Sequence, residues 1–360
     1  MCVKVSYVIS SVFAASMLVS SAWSVLVKPE PIWLISEKLA ITPTDFYIKN
    51  VSDERPGKPP IAQLYFTDAD GKSVNYPVDL HSGADKAIKS FMIGSMIQNT
   101  MARPLNIKIK ECKVRETISG ENIIRGEINL VVQFDLEKEY GDVRLTQYSS
   151  AAKYTRSIDK INLIEPVLRQ LLVNSLKYIN SWMNTESLRH PLLAKKVRIS
   201  FTDYIESDED TIYHQKSRPL VWGDFREKPQ DRRYSAAVFS SFGYDQRREI
   251  NNGTIHVNLA IKSYVVRSAS WVFPGRQDAY SLNHEQKHFD LVKIISERFK
   301  SKLLSEDLNP DNYEGIINFE YLEFYREMNS LQKKYDSETA HGTNSEMQRK
   351  WDREIEKGVG

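Results

Sequence analysis

The chain has 360 residues, enough for two domains with separate cores. Hydrophobic residues make up 41% and charged residues 27%, the balance of a soluble globular protein. The formal net charge is +2, from 49 basic and 47 acidic residues, so no global field recruits nucleic acid or anionic lipid, and no nucleic-acid-binding motif is present.

Val5 to Val27 carry no charge, follow Lys4 and end in small residues, with Ser20-Ser21-Ala22 or Ala22-Trp23-Ser24 as cleavage sites. This predicts a signal peptide over residues 1–24 and an exported protein, periplasmic or secreted. The competing reading is an uncleaved anchor, since 23 uncharged residues could span a bilayer; seven of them are Ser, which weakens a stable span. Any membrane contact is therefore expected only through an uncleaved leader. Cys2 would leave with the leader, so the mature chain holds Cys112 alone and can form no intrachain disulfide. Its stability must come from its core or from metal.

After a Pro-rich approach of extended or turn character, Ile61 to Phe66 alternates as a strand, Asp68 to Gly71 turns, and Val74 to Val78 returns. Ala84 to Met101 reads as a helix through Ile88, Phe91, Met92, Met96 and Ile97. Three β-rich runs follow, Ile107 to Val114, Ile123 to Leu136 and Val143 to Tyr154. A long helix then carries one apolar stripe from Ile161 to Trp182. This order predicts an α+β domain over residues 45–187, helices on one sheet, with no catalytic cluster.

A boundary is expected near Thr185 to Pro191, followed by a strand over Val197 to Tyr204. The acidic stretch Glu206 to Asp210 reads as a solvated loop, with calcium binding the lesser reading. Ile255, Val257 and Leu259 alternate, extended chain continues to Phe273, and Pro274-Gly275 turns it. Beyond that turn lies His284-Glu285-Gln286-Lys287-His288, an H-E-x-x-H motif in a helical frame of Phe289, Val292, Ile295 and Phe299. Four residues make about one turn, so both imidazoles leave one face and can grip one Zn²⁺, with Glu285 placed to take a proton from water. Asp278 or Ser281 could cap this helix. The bland alternative is a solvated helix face bearing polar side chains. Ile317 to Tyr335 marks a second long helix, and Met347, Trp351 and Ile355 a short last one.

Two His do not complete a catalytic zinc site, which takes three protein ligands and water. His341 follows the second long helix, where Gly342 permits a sharp turn back; Glu320, Glu323 or Glu327 on that helix would give a His₂Glu site instead. His214 and His256 are the other imidazoles of this half, and His256 lies on a strand pattern. The residues alone give His341 a slight lead over the glutamates.

Residues from about 190 to the end resemble a bacterial family once catalogued as domain of unknown function nine-two-two and described as predicted secreted zinc-dependent proteases. The likeness rests on Leu220-Val221-Trp222-Gly223-Asp224-Phe225, Ser270-Trp271-Val272, Asn283 to Asp290, Tyr335-Asp336 through Thr339, His341 and Gly342, and on Gln348 and Trp351 in the closing helix. It implies a zincin-like metalloprotease domain over residues 190–360, with His284, His288 and His341 as metal ligands, Glu285 as base, and a protein or peptide substrate. Residues 45–187 are loosely similar to small bacterial envelope lipoprotein domains but lack a lipidation Cys. Tyr335 is a candidate donor to the tetrahedral oxyanion, with packing as its equal alternative, and Asp290 or Asp336 could orient a ligand His, solvated surface Asp being the plainer reading of each. The competing function is a non-catalytic envelope binding or assembly module with structural zinc or none. A third keeps the zinc chemistry but acts on another amide, such as a cell-wall crosslink.

Overall fold

The computed structural model describes residues 29–229 and 234–359, so the expected leader lies outside the described residues. The protein is α+β and divides into two compact units, Met1–Asn180 and Ser181–Gly360. No helix among the described residues is long and apolar enough to cross a membrane.

In the first unit, β1 (Phe46–Asp53), β2 (Ala62–Thr67), β3 (Ser73–Val78), β4 (Arg103–Gly120), β5 (Ile123–Lys138) and β6 (Gly141–Ser157) form one six-stranded sheet. β4, β5 and β6 are an antiparallel meander, whereas β1 and β2 run parallel to different stretches of β4. β5 buries Ile128, Leu130, Val132, Phe134 and Leu136 in alternation, the pattern of a sheet with one covered face. Helix α1 (Ala84–Ser95) buries Ile88, Phe91 and Met92, and α2 (Ile164–Glu186) buries Leu168, Leu172, Leu176 and Ile179. Tyr178 of α2 lies against Phe134 and Tyr148 and hydrogen-bonds the Thr146 hydroxyl at 2.7 Å, which seats this helix over β5 and β6.

Helix α1 is shorter than its apolar spacing predicts. Met96 is already extended, and Gln98 turns back to donate to the Ile93 and Met96 carbonyls while accepting from the Ile48 amide at 3.0 Å. A polar side chain that serves as a cap ends the helix where hydrophobic periodicity would continue it.

In the second unit the strands are β7 (Lys196–Asp203), β8 (Thr211–Tyr213), β9 (Ala236–Ala237), β10 (Ser240–Asn251), β11 (Thr254–Val266) and β12 (Trp271–Val272). β11 is flanked by β10 on one side and by β7 and β8 in succession on the other, while β9 and β12 form a separate short ladder. Asn252 and Gly253 both have positive φ, 48° and 69°, and close the β10–β11 hairpin with the turn that an Asn-Gly pair favours. Ile255, Val257, Leu259 and Ile261 on β11 pack with Val292, Ile295 and Phe299 of α3 (Ala279–Ser305) and with Ile317 and Met328 of α4 (Tyr313–Thr339). Helix α5 (Ser345–Val359) joins through Trp351 and Ile355, which meet Leu291 and Tyr335. α3 is thus held between a sheet and two helices, which gives its side chains a rigid seat. The acidic stretch is a turn in which Asp208 accepts from the Asp210 and Thr211 amides and Asp210 accepts from the Ser268 amide and hydroxyl.

Candidate metal centre

Asp278 caps α3, accepting from the Ser281 amide at 2.8 Å and its hydroxyl at 3.1 Å. His284 and His288 then leave one face with ring centroids 5.1 Å apart, and both rings are buried, as is Glu285. Tyr335 of α4 packs against this pair, parallel to His284 at 4.8 Å and edge-on to His288 at 4.9 Å. The next residue, Asp336, points its Oδ1 to 2.9 Å from His288 Nε2 and 3.3 Å from His284 Nε2. His284, His288 and Asp336 are the one set of three such residues among those described whose donor atoms lie within 4.8 Å of one another.

His341, the third ligand expected from the sequence, is beside this set but outside it. Its Nδ1 is 3.6 Å from Asp336 Oδ1, its side chain is nearly half exposed, and its ring lies against Tyr234. It sits on a turn of three successive left-handed residues, Ala340, His341 and Gly342. At Gly342, where φ is 81°, a Cβ would stand 3.2 Å from the His284 ring, a tight contact added to a backbone conformation that favours glycine. The glutamate alternatives fall away: Glu320 faces Lys302, Glu323 pairs with Arg326, and Glu327 pairs with Arg298. Asp290 does not orient a ligand either, because it accepts from His214, Gln286 and Lys287 instead.

The partners that do orient the two rings are carboxamides, a role that the sequence assigns to neither. Gln348 of α5 is fully buried with Oε1 2.9 Å from His284 Nδ1, and Gln332 of α4 places Oε1 3.2 Å from His288 Nδ1. The Tyr335 hydroxyl donates to the His284 carbonyl at 3.3 Å and accepts from Gln348 Nε2 at 2.6 Å. It is spent behind the rings, in a fully buried position, and is not available to an oxyanion. The Leu220 to Phe225 motif is also structural: Asp224 accepts a bidentate pair of bonds from Arg218 and one from the Val221 amide, and the Leu220 amide donates to Gln286 on the rear of α3.

This donor set could hold a cation. If each Nδ1–H donates to a glutamine oxygen, both neutral Nε2 atoms point lone pairs at a carboxylate oxygen, three acceptors facing one another with no proton between them. An added proton or a metal ion relieves that arrangement, as does the other His288 tautomer, whose Nε2–H would donate to Asp336. Burial by itself would push Asp336 up and His284 down. Their mutual contact wins, holding the Asp336 carboxyl well below the usual carboxylate range and keeping the His284 imidazole above its ordinary value. Two imidazoles and one carboxylate are a borderline nitrogen and oxygen set of the kind that Zn²⁺ accepts. Glu285 lies on the same face; burial pushes its carboxyl up, the two imidazoles pull it back, and its Oε2 accepts from the Val238 amide at 2.9 Å. The three helical residues form the floor of a cleft of about 870 Å³ walled by residues 234–240 on one side and by Asp336 and the His341 turn on the other.

No family model matches the chain, and no curated protein matches it. Among solved structures, a Xanthomonas campestris protein of domain-of-unknown-function family 330 aligns at 12% identity and a TM-score of 0.29, over 43% of this chain and 97% of that one. An uncharacterized protein aligns at 10% identity and a TM-score of 0.25, over 43% and 99% respectively. A minor lipoprotein from Acinetobacter baumannii aligns at 14% identity and a TM-score of 0.19, over 28% and 80%. Similarity at this level defines no shared fold.

Proposed function

We propose that the second unit is a zincin-like, zinc-dependent peptidase domain of an exported protein, periplasmic or secreted, akin to the predicted secreted proteases that residues 190–360 resemble. The observation that carries this reading is the convergence of His284 Nε2, His288 Nε2 and Asp336 Oδ1, with Glu285 on the same face of one cleft. His284, His288 and Asp336 would hold the ion, with His341 the rival for the third position. A bound Zn²⁺ brings the pKa of water toward ~7 and polarises a substrate carbonyl.

The remaining chemistry belongs to the chain. Glu285 Oε2 is tethered by the Val238 amide, so Oε1 receives the proton of the attacking water and returns it to the leaving amide nitrogen. A carboxyl lifted by burial binds that proton more readily than an exposed one. The extended segment before β10 forms one wall of the cleft, and a peptide would lie along it. The test is purified protein: about one zinc per chain and chelator-sensitive peptide cleavage support the reading, and no zinc or no cleavage by the loaded protein overturns it.

One observation favours a second reading. His341 Nδ1 stands 3.6 Å from Asp336 Oδ1, so a shift of its turn could add a fourth donor to the two helical His and Asp336 and close a structural site. A tightly bound zinc with no hydrolysis of any peptide or cell-wall amide would identify a binding or assembly module instead.

A further inference from the structure

We propose that Gln348, 64 residues beyond His284 and on the closing helix α5, is the positioning residue that fixes the His284 tautomer and aims its Nε2 at the metal. The inference rests on the zinc reading above and adds a residue to it. An imidazole can carry its single neutral-state proton on either nitrogen, and only the unprotonated one can bind metal. Which nitrogen is protonated therefore decides whether His284 is a ligand at all.

The surroundings of Gln348 settle which end of its amide meets the ring. Its Nε2 donates to Asp352 Oδ1 at 2.9 Å, an oxygen that also accepts from Asn283 Nδ2, and to the Tyr335 hydroxyl at 2.6 Å. The amide nitrogen must face those two groups, which turns Oε1 to His284 Nδ1 at 2.9 Å. An amide oxygen only accepts, so Nδ1 carries the proton and Nε2 keeps its lone pair for the ion. Asp352 is itself held, because Asn283 Nδ2, one residue before His284, donates to the same Oδ1 at 3.1 Å. The chain of bonds therefore runs from α3 to α5 and back to α3. Gln348 has no exposed surface, so no water competes for its oxygen. The counterpart at His288 is looser: Gln332 Oε1 lies at 3.2 Å and its other partner is the Ser240 hydroxyl, which fixes neither end of the amide.

Zinc titration against a chromophoric chelator tests this on the full-length protein, comparing wild type, Gln348→Leu and the double variant Gln348→Glu/Asp352→Asn. The double variant inverts the polarity of the bond to residue 352 but keeps a carboxylate oxygen toward Nδ1. Gln348→Leu should weaken zinc binding roughly 10–100-fold, and the double variant should return to within a few-fold of wild type. In the metal-free proteins, nitrogen-15 spectra recorded at alkaline pH, where the ring is neutral, should show His284 as the Nδ1–H tautomer in wild type and a mixture in Gln348→Leu. Metal-free melting temperatures separate positioning from packing, since a packing role lowers the melt without shifting the tautomer. Wild-type zinc affinity in Gln348→Leu, or an unchanged tautomer, overturns the positioning role while leaving the zinc reading intact. Absence of zinc from wild type overturns both.

Discussion

Asp336 Oδ1 reaches His288 Nε2 at 2.9 Å, whereas His341 Nδ1 stands 3.6 Å from that same oxygen. Asp336 shares one small set of donor atoms with both helical imidazoles and His341 does not, which ranks the two rivals for the third ligand position. Asp336→Ala should lower zinc affinity by more than the ~100-fold that bounds the loss of a supporting side chain, and His341→Ala by less than about tenfold. Dialysis against zinc followed by metal analysis of each variant would read this directly. The reverse ranking would restore the ligand set implied by the family resemblance.

Glu285 is next to a ligand but is not one of the donors facing Asp336. Glu285→Gln should keep the Val238 contact and full zinc content while lowering peptide turnover roughly 10²–10⁴-fold, the range of a lost general base. Retained turnover in a zinc-loaded variant would remove Glu285 from the chemistry.

The His284 and His288 spacing was legible in the sequence because a local repeat of four needs no tertiary knowledge. Asp336 stood in a quoted motif, yet its role depends on the rotation of α4, which turns Tyr335 behind the imidazoles and Asp336 toward the cleft. Gln332 left no signal, and Gln348 carried part of the family likeness without a role, because a carboxamide that orients a ring has no required spacing from it. Strand β10 was hidden for a different reason. Its Asp245, Gln246, Arg247, Arg248 and Glu249 are exposed, so no apolar alternation announces it, and it is a strand only because β11 pairs with it residue by residue.

Arg156 and Glu116 in the first unit form a bidentate pair at 2.7 and 2.8 Å with both side chains fully buried. Every group is used: Arg156 also donates to the Tyr65, Ser157 and Ile158 carbonyls, and Glu116 also accepts from the Tyr65 amide and the Tyr154 hydroxyl. Removing one partner strands a buried charge. Arg156→Met should therefore cost about 3–5 kcal/mol in urea unfolding, and Glu116→Leu/Arg156→Met should cost less than the single change. A single-variant loss under about 1 kcal/mol would show that the pair is not buried in solution.

Tyr154 reaches Glu116 by lying across Gly126, its cross-strand neighbour in the β5–β6 ladder. A Cβ at 126 would meet the Tyr154 ring at 2.1 Å, so Gly126→Ala must push the ring off and break its bond to Glu116. A loss of about 1–3 kcal/mol is expected from the overpacking. Adding Tyr154→Ala should then cost less in the Gly126→Ala background than in wild type, and additive losses in that cycle would exclude the contact.

Asp224 offers a pH test away from the metal. Burial opposes its charge, but the two bonds from Arg218 and the Val221 amide outweigh burial and hold its carboxyl below the ordinary value. The folded state therefore binds this proton less tightly than the unfolded chain, where the carboxyl titrates near ~3.9. Its contribution is complete above that value and is lost as the pH falls through the lowered one. Wild type should melt higher than Asp224→Asn at neutral pH, and the gap should narrow on acidification below about pH 4. Melting curves recorded from pH 7 to pH 3 that stay parallel for the two proteins would mean that Arg218 and Asp224 do not pair in the folded loop.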